Sequence, residues 1–157
     1  MKKTRKRGMV ARKIMPTTYF WVLMALLLGI HFIFPTRQII TVSITYFGII
    51  LISVGIVLNL WTDVLFKRKE TTVKPHKLPS RLIITGPFRI SRHPMYLGMA
   101  LILFGLAFFL GSLPTFMFPI IFVGLMELLF IPLEEENLES TFGESYVRYK
   151  KNVRRWI

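Results

Sequence analysis

The chain has 157 residues, 53% of them hydrophobic, with a formal net charge of +13 and no cysteine. Its length suits one domain, its mean hydropathy of +0.53 is too high for an ordinary soluble one, and the missing cysteines exclude disulfides, thiolate metal sites and cysteine nucleophiles. The positive charge falls in blocks between apolar runs, which points to anionic lipid headgroups and not to nucleic acid.

Residues 1–15 carry Lys2, Lys3, Arg5, Lys6, Arg7, Arg12 and Lys13. A signal peptide also opens on positive charge, but here the following apolar run is long and lacks a small-residue cleavage site. The reading is an uncleaved first span over about 17–34, closed by Pro35. Tyr19 and Trp21 stand where interfacial aromatics belong. His31, near the far end, is given no role. A tight connection at 35–38 leads to a second span over about 39–61. Both runs approach the roughly twenty apolar residues that cross a bilayer core. Gly48 and Gly55 suit close approach of another helix. Asn59, Trp61 and Asp63 read as an interfacial cap.

Residues 63–93 are polar and basic, and Pro75 and Pro79 argue against one continuous helix there. From Met95 to Ile131 the chain is apolar again. That length predicts a hairpin of two short helices, about 95–111 and 114–131, turning at Gly111-Ser112-Leu113-Pro114. Glu127 lies in the second arm, where a carboxylate should face the bundle interior or a water-filled cavity. The segment 133–157 is polar and helical in pattern. It opens on Glu134-Glu135-Glu136, acids that favour a helix N-terminus. Leu138, Phe142, Tyr146 and Tyr149 form its apolar stripe, which packs the segment down, with Gly143 interrupting. Arg148, Lys150, Lys151, Arg154 and Arg155 make its end basic.

Lys and Arg number seven in the N-terminal block, eight in the central loop, five at the C-terminus and one in the two short turns. With four spans the three rich blocks share one side, and the positive-inside rule makes that side the cytoplasm. The expected fold is therefore all-α: an integral membrane helical bundle of about four transmembrane helices plus a C-terminal cytoplasmic or interfacial helix. It forms a single domain over 1–157, multi-pass, with both termini cytoplasmic.

The hairpin gathers the polar candidates. Arg89, Arg92, His93 and Tyr96 start the third span, while Glu127, Glu134 and Glu135 end the fourth on the same side. The result is a cytoplasm-facing pocket with basic and acidic walls, suited to a zwitterionic ligand. His31, His76 and His93 lack metal-ligand spacing, and neither a phosphate-cradling glycine loop nor a serine–histidine motif is present.

Gly86-Pro87-Phe88-Arg89 and Arg92-His93-Pro94-Met95-Tyr96-Leu97-Gly98, followed by Glu134-Glu135, Leu138, Phe142-Gly143, Tyr146 and Tyr149, resemble the isoprenylcysteine carboxyl methyltransferase and phospholipid methyltransferase superfamily. The resemblance covers about residues 45–157 and implies an integral membrane enzyme using S-adenosylmethionine. By that resemblance His93, Pro94, Tyr96 and Gly98 belong to the cofactor pocket. Glu134 or Glu135 meets the cofactor's polar end, and Arg89 and Arg92 hold its carboxylate or close the loop. Many carboxyl-methylating relatives carry an arginine about one turn before the acidic pair, where this chain has Leu128-Leu129-Phe130-Ile131-Pro132.

The expected reaction is methyl transfer to a lipophilic acceptor at the cytoplasmic face, onto either a prenylcysteine-like carboxylate or a phospholipid amine. An amine must lose a proton, and Glu127 or Glu135 is the candidate base. Glu127 is expected to be unpaired or to pair with a loop arginine. The alternative is a non-catalytic membrane protein whose basic loops bind anionic lipid or a partner. A transporter-like bundle fits poorly, since four short spans show no internal repeat.

Overall fold

The computed structural model describes residues 15–33, 42–69 and 81–157. The N-terminal basic block, the connection at 35–38 and the segment with Pro75, His76 and Pro79 lie outside these. The described residues form helices α1 (Pro16–Ile33), α2 (Val42–Arg68), α3 (Pro94–Leu110), α4 (Met117–Leu125), α5 (Ile131–Phe142) and α6 (Glu144–Asn152). No strand occurs among them. Three helical stretches are long and apolar enough to cross a membrane: Pro16–Ile33, Thr45–Arg68 and Leu113–Phe142. Helix α3 is apolar but has 17 residues, the lower end of spanning length. This is an all-α membrane bundle. Its outward faces carry exposed Trp21, Leu26, Val54, Val57, Leu60, Ile120 and Leu128, which suits lipid and not water.

Two element boundaries differ from the sequence expectation. Helix α2 runs on to Arg68, because Asn59, Trp61 and Asp63 are helix-compatible and Asp63 pairs with Lys67 one turn later at 2.7 Å. The fourth span does not stop before Glu134. Helix α4 passes through a π segment, Met126–Phe130, directly into α5. A proline cannot donate to the carbonyl four residues back and its ring clashes with it. The wider π turn absorbs that conflict just ahead of Pro132. The hairpin turn falls where expected: Gly111 ends α3 in the left-handed region at φ 66°, its N–H donating to the Ala107 carbonyl.

The core joins α1, α3 and the α4–α5 rod. Phe20, Leu23 and Leu27 of α1 meet Tyr96, Met99, Ala100 and Leu103 of α3, and Phe118, Phe122, Met126, Phe130 and Ile131 of the rod. The spacing 20, 23, 27 is one helical face. Helices α2 and α3 make the most extensive pairing. Glycines set its closeness. A Cβ on Gly48 would stand 2.5 Å from the Gly105 carbonyl oxygen, and one on Gly55 would stand 2.6 Å from that of Gly98. The reciprocal positions are equally tight, at 2.6 Å for Gly105 against Gly48 and 2.8 Å for Gly98 against Gly55. The two backbones therefore touch at two points, as small residues permit in membranes.

Gly55→Leu should separate α2 from α3 and lower stability by about 1–3 kcal/mol. Gly29→Ala, where an added Cβ meets nothing within 4 Å, should be near neutral. Thermal unfolding in detergent compares the two, and equal midpoints would remove the glycine contact from the fold's determinants.

Candidate functional site

A turn, a helix start, the acidic turn of α5 and the chain's end converge at one place. Thr85-Gly86-Pro87 breaks regular structure, and Gly86 takes φ +63° to enter a 3-10 turn over Gly86–Arg89. Pro94 then begins α3, where a missing N–H goes unused. His93 precedes it without capping the helix through its side chain. Its ring is thereby free to face α5.

His93 has a carboxylate on each ring nitrogen: Glu134 Oε2 at 3.3 Å from Nδ1, and Glu135 Oε1 at 3.4 Å from Nε2. Burial alone would lower its pKa, but hydrogen bonds and attraction from Glu134 and Glu135 outweigh burial and raise it. The Tyr96 hydroxyl donates a short hydrogen bond to Glu134, and the two rings of His93 and Tyr96 stack 5.7 Å apart with planes 4° from parallel. Arg92 Nη1 is 3.1 Å from Glu135 Oε1. That is an ion pair without a well-directed hydrogen bond, and among the described residues Arg92 Nε has no acceptor, although both atoms are buried. The buried Tyr146 hydroxyl, which lacks a well-directed partner among the described residues, lies against Arg92 and Glu135, and burial pushes its phenol up to about 12. Both acids stand at the N-terminal, partially positive end of α3.

The sequence reading missed the residues that complete this cluster. Arg155 clasps Glu135 with two hydrogen bonds, Nε to Oε1 at 3.1 Å and Nη2 to Oε2 at 2.7 Å, and its Nη1 bonds Glu127. Trp156 Nε1 donates to the other oxygen of Glu127 at 3.0 Å. The π segment aligns the two acids. Residues seven apart share a face of a regular α-helix, and a π turn inserts about one more. Glu127 therefore lines up with Glu135 and not with Glu134. Glu127 is not unpaired, and the arginine beside it comes from the C-terminus instead of the central loop. The signal for this was weak: a tryptophan after Arg154-Arg155, just past the last helix.

Arg92, His93, Tyr96, Glu127, Glu134 and Glu135 are brought together. Pro94 starts the helix beneath them. Arg89 stands exposed at the end of the 3-10 turn, outside the cluster. Gly98 faces Asn59 and Gly55 in the α2–α3 contact, where an added Cβ would meet Asn59 Oδ1 at 2.8 Å. Its need is explained by packing. Tyr146 and Tyr149 are buried, as the stripe implied, and Tyr149 donates to the Phe88 carbonyl at 2.7 Å, tying α6 to the 3-10 turn.

The phospholipid methyltransferase family matches residues 43–145. The chain belongs to that family. Its match contains His93, Tyr96, Glu127, Glu134 and Glu135, and it ends before Arg155. An uncharacterized protein of Haemophilus influenzae is 43% identical over 63 residues, which is 40% of this chain and all of that protein. No solved structure matches the chain significantly.

The raised His93 pKa gives a signed pH dependence. Protonated His93 stabilises the fold below its unfolded pKa of about 6.5, and that contribution fades as pH rises through the higher folded value. Between pH 6 and 9 the wild-type unfolding midpoint should therefore fall more steeply than that of His93→Gln. Parallel pH curves would contradict the charged bridge.

Proposed function

We propose that this family member is an S-adenosylmethionine-dependent methyltransferase that modifies a lipophilic acceptor at the cytoplasmic membrane face. One observation supports the reading most: buried acids and bases converge at the α3–α5 junction, and among the described residues Arg92 Nε and the Tyr146 hydroxyl lack a well-directed hydrogen bond. Buried polar groups are almost always satisfied, so spare donors fit a ligand carboxylate. Glu134, half-buried, fits its ammonium. When bound, S-adenosylmethionine supplies a methyl group made electrophilic by its sulfonium.

The chain's own residues orient and shield. Arg92 and Tyr146 offer N–H and O–H groups to an anion. Tyr96 and His93 fix Glu134. Phe130 and Met126, both buried beside the acids, keep water out. The acceptor is a prenylcysteine-like carboxylate or a phospholipid amine. Glu127 favours the amine. Its side chain is 37% exposed, and the adjacent Leu128 is 70% exposed. On this reading an Oε of Glu127 or Glu135 takes the proton that an ammonium must lose. We assign the termini and the loop after α2 to the cytoplasm on the Lys/Arg distribution.

Wild-type protein in detergent should bind S-adenosylmethionine by calorimetry. His93→Ala and Glu134→Ala should each weaken binding about ten- to a hundredfold, as loss of a charge-assisted hydrogen bond implies. Wild-type affinity in both variants would remove these residues from the site. Protein that binds no S-adenosylmethionine would favour a non-catalytic lipid-binding role.

Acceptor class is decided by assaying Glu127→Gln on phosphatidylethanolamine-type and prenylcysteine-type lipids. The amine reading expects transfer to the former, strongly reduced by the substitution. Transfer only to the prenylcysteine type, at an unchanged rate, would end it. Reporter fusions after Lys69 and at Ile157 should report the same side of the membrane.

A further inference from the structure

The last residues of the chain do more than end helix α6. Asn152 closes that helix and Val153 turns extended, at φ −126° and ψ 130°. The tail then runs beside the stretch that leads into α3. Arg92 N–H donates to the Arg154 carbonyl at 3.0 Å, and the Ser91 hydroxyl donates to the Arg155 carbonyl at 2.9 Å. The same Ser91 oxygen accepts the His93 N–H at 3.1 Å. Backbone pairing thus fixes the tail on the segment that carries Arg92 and His93. Its side chains reach across to α5 and the π segment: Arg155 forks onto Glu135 and bonds Glu127, and Trp156 bonds Glu127 while packing on the core cluster.

The cluster grows more open toward the tail. Side-chain exposure is 5% for His93 and Glu135 and rises to 33% and 37% for Arg155 and Glu127. Three carboxylates, Glu127, Glu134 and Glu135, face Arg92, Arg155 and the histidine. Among the described residues, Glu127 without Arg155 keeps the Trp156 indole, and Glu135 keeps Arg92 and His93. Closely spaced acids deprived of a cation take up protons or repel one another. Arginine suits the task, because its planar fork bonds one carboxylate with two atoms and still has a third nitrogen for another.

We propose that Arg155 is a positioning residue for the charged site, strapped across it by residues 153–157, and that its charge balances and aims Glu127 and Glu135. This deepens the methyltransferase reading and rests on it. The residue lies beyond the 43–145 family match, so that match assigns it nothing.

The test compares Arg155→Gln and Arg155→Lys with the full-length wild-type protein in detergent, using S-adenosylmethionine as calorimetric probe from pH 5 to 9. Unfolding midpoints confirm that each variant is folded. Arg155→Gln should raise Kd about tenfold or more, and its binding should fail at a higher pH on the acid side than that of wild type. Arg155→Lys should restore the pH profile but not the full affinity, since it keeps the charge and loses the fork. Wild-type Kd in Arg155→Gln overturns the proposal. A weaker Kd with an unchanged pH profile also overturns it, because a tail that merely packs acts alike at every pH. If wild-type protein binds no S-adenosylmethionine, the methyltransferase reading falls, and acrylamide quenching of Trp156, with Trp21 and Trp61 replaced by Phe, then judges the strap. Protection that is lost in Arg155→Gln sustains it, and protection that is unchanged overturns it.

Discussion

Glu135 is the carboxylate around which this molecule is arranged. It is 4% exposed and meets Arg92, His93 and Arg155. A buried carboxylate without partners is prohibitively costly, and removing one partner of a buried ion pair typically costs about 3–5 kcal/mol. Its three partners come from the start of α3 and the end of the chain, and Glu135 itself from the fourth span. Closing that set fixes how the hairpin, the 3-10 turn and the tail meet.

The apolar parts of the fold make this closure possible. Two glycine pairs bring α2 onto α3 backbone to backbone, which steadies the helix that His93 introduces. The π segment before Pro132 turns Glu127 onto the same face as Glu135. An uninterrupted α-helix would have aligned Glu127 with Glu134 instead. One guanidinium would then not bridge the two acids as it does. A helix irregularity and a proline, each mildly unfavourable alone, together shape a charged site, as π-bulges often do.

Much of this was legible in the sequence, for definite reasons. Apolar run length marks spans, so α1, α2 and the hairpin with its Gly111 turn were readable. Local motifs mark themselves: His93 with Tyr96, and Glu134 with Glu135, were identified as partners across the hairpin. What stayed hidden depends on geometry between distant segments or on backbone irregularity. The span was expected to end at 131 and the polar helix to begin at 133, yet the π segment carries one rod through Pro132. Asn59 read as a cap, yet it lies against Gly98 within a longer helix. Arg155 read as one charge in a basic tail, because nothing local announces that residues 153–157 fold back along Ser91 and Arg92. Gly98 carried a motif-based role, while its surroundings explain it by helix contact.

The family membership and the site lead to one physical picture: a charged cluster at the edge of an apolar bundle, with residues 153–157 paired along one side of it. Its central requirement is that His93 and Glu135 act as one network. A double-mutant cycle of His93→Gln and Glu135→Gln, read as unfolding free energy in detergent, tests this directly. Members of one buried network couple by about 0.5–3 kcal/mol, whereas independent sites add within about 0.5 kcal/mol. A coupling energy in the first range is predicted at pH 6, where the imidazolium bridge is formed, and additive effects at that pH would contradict it.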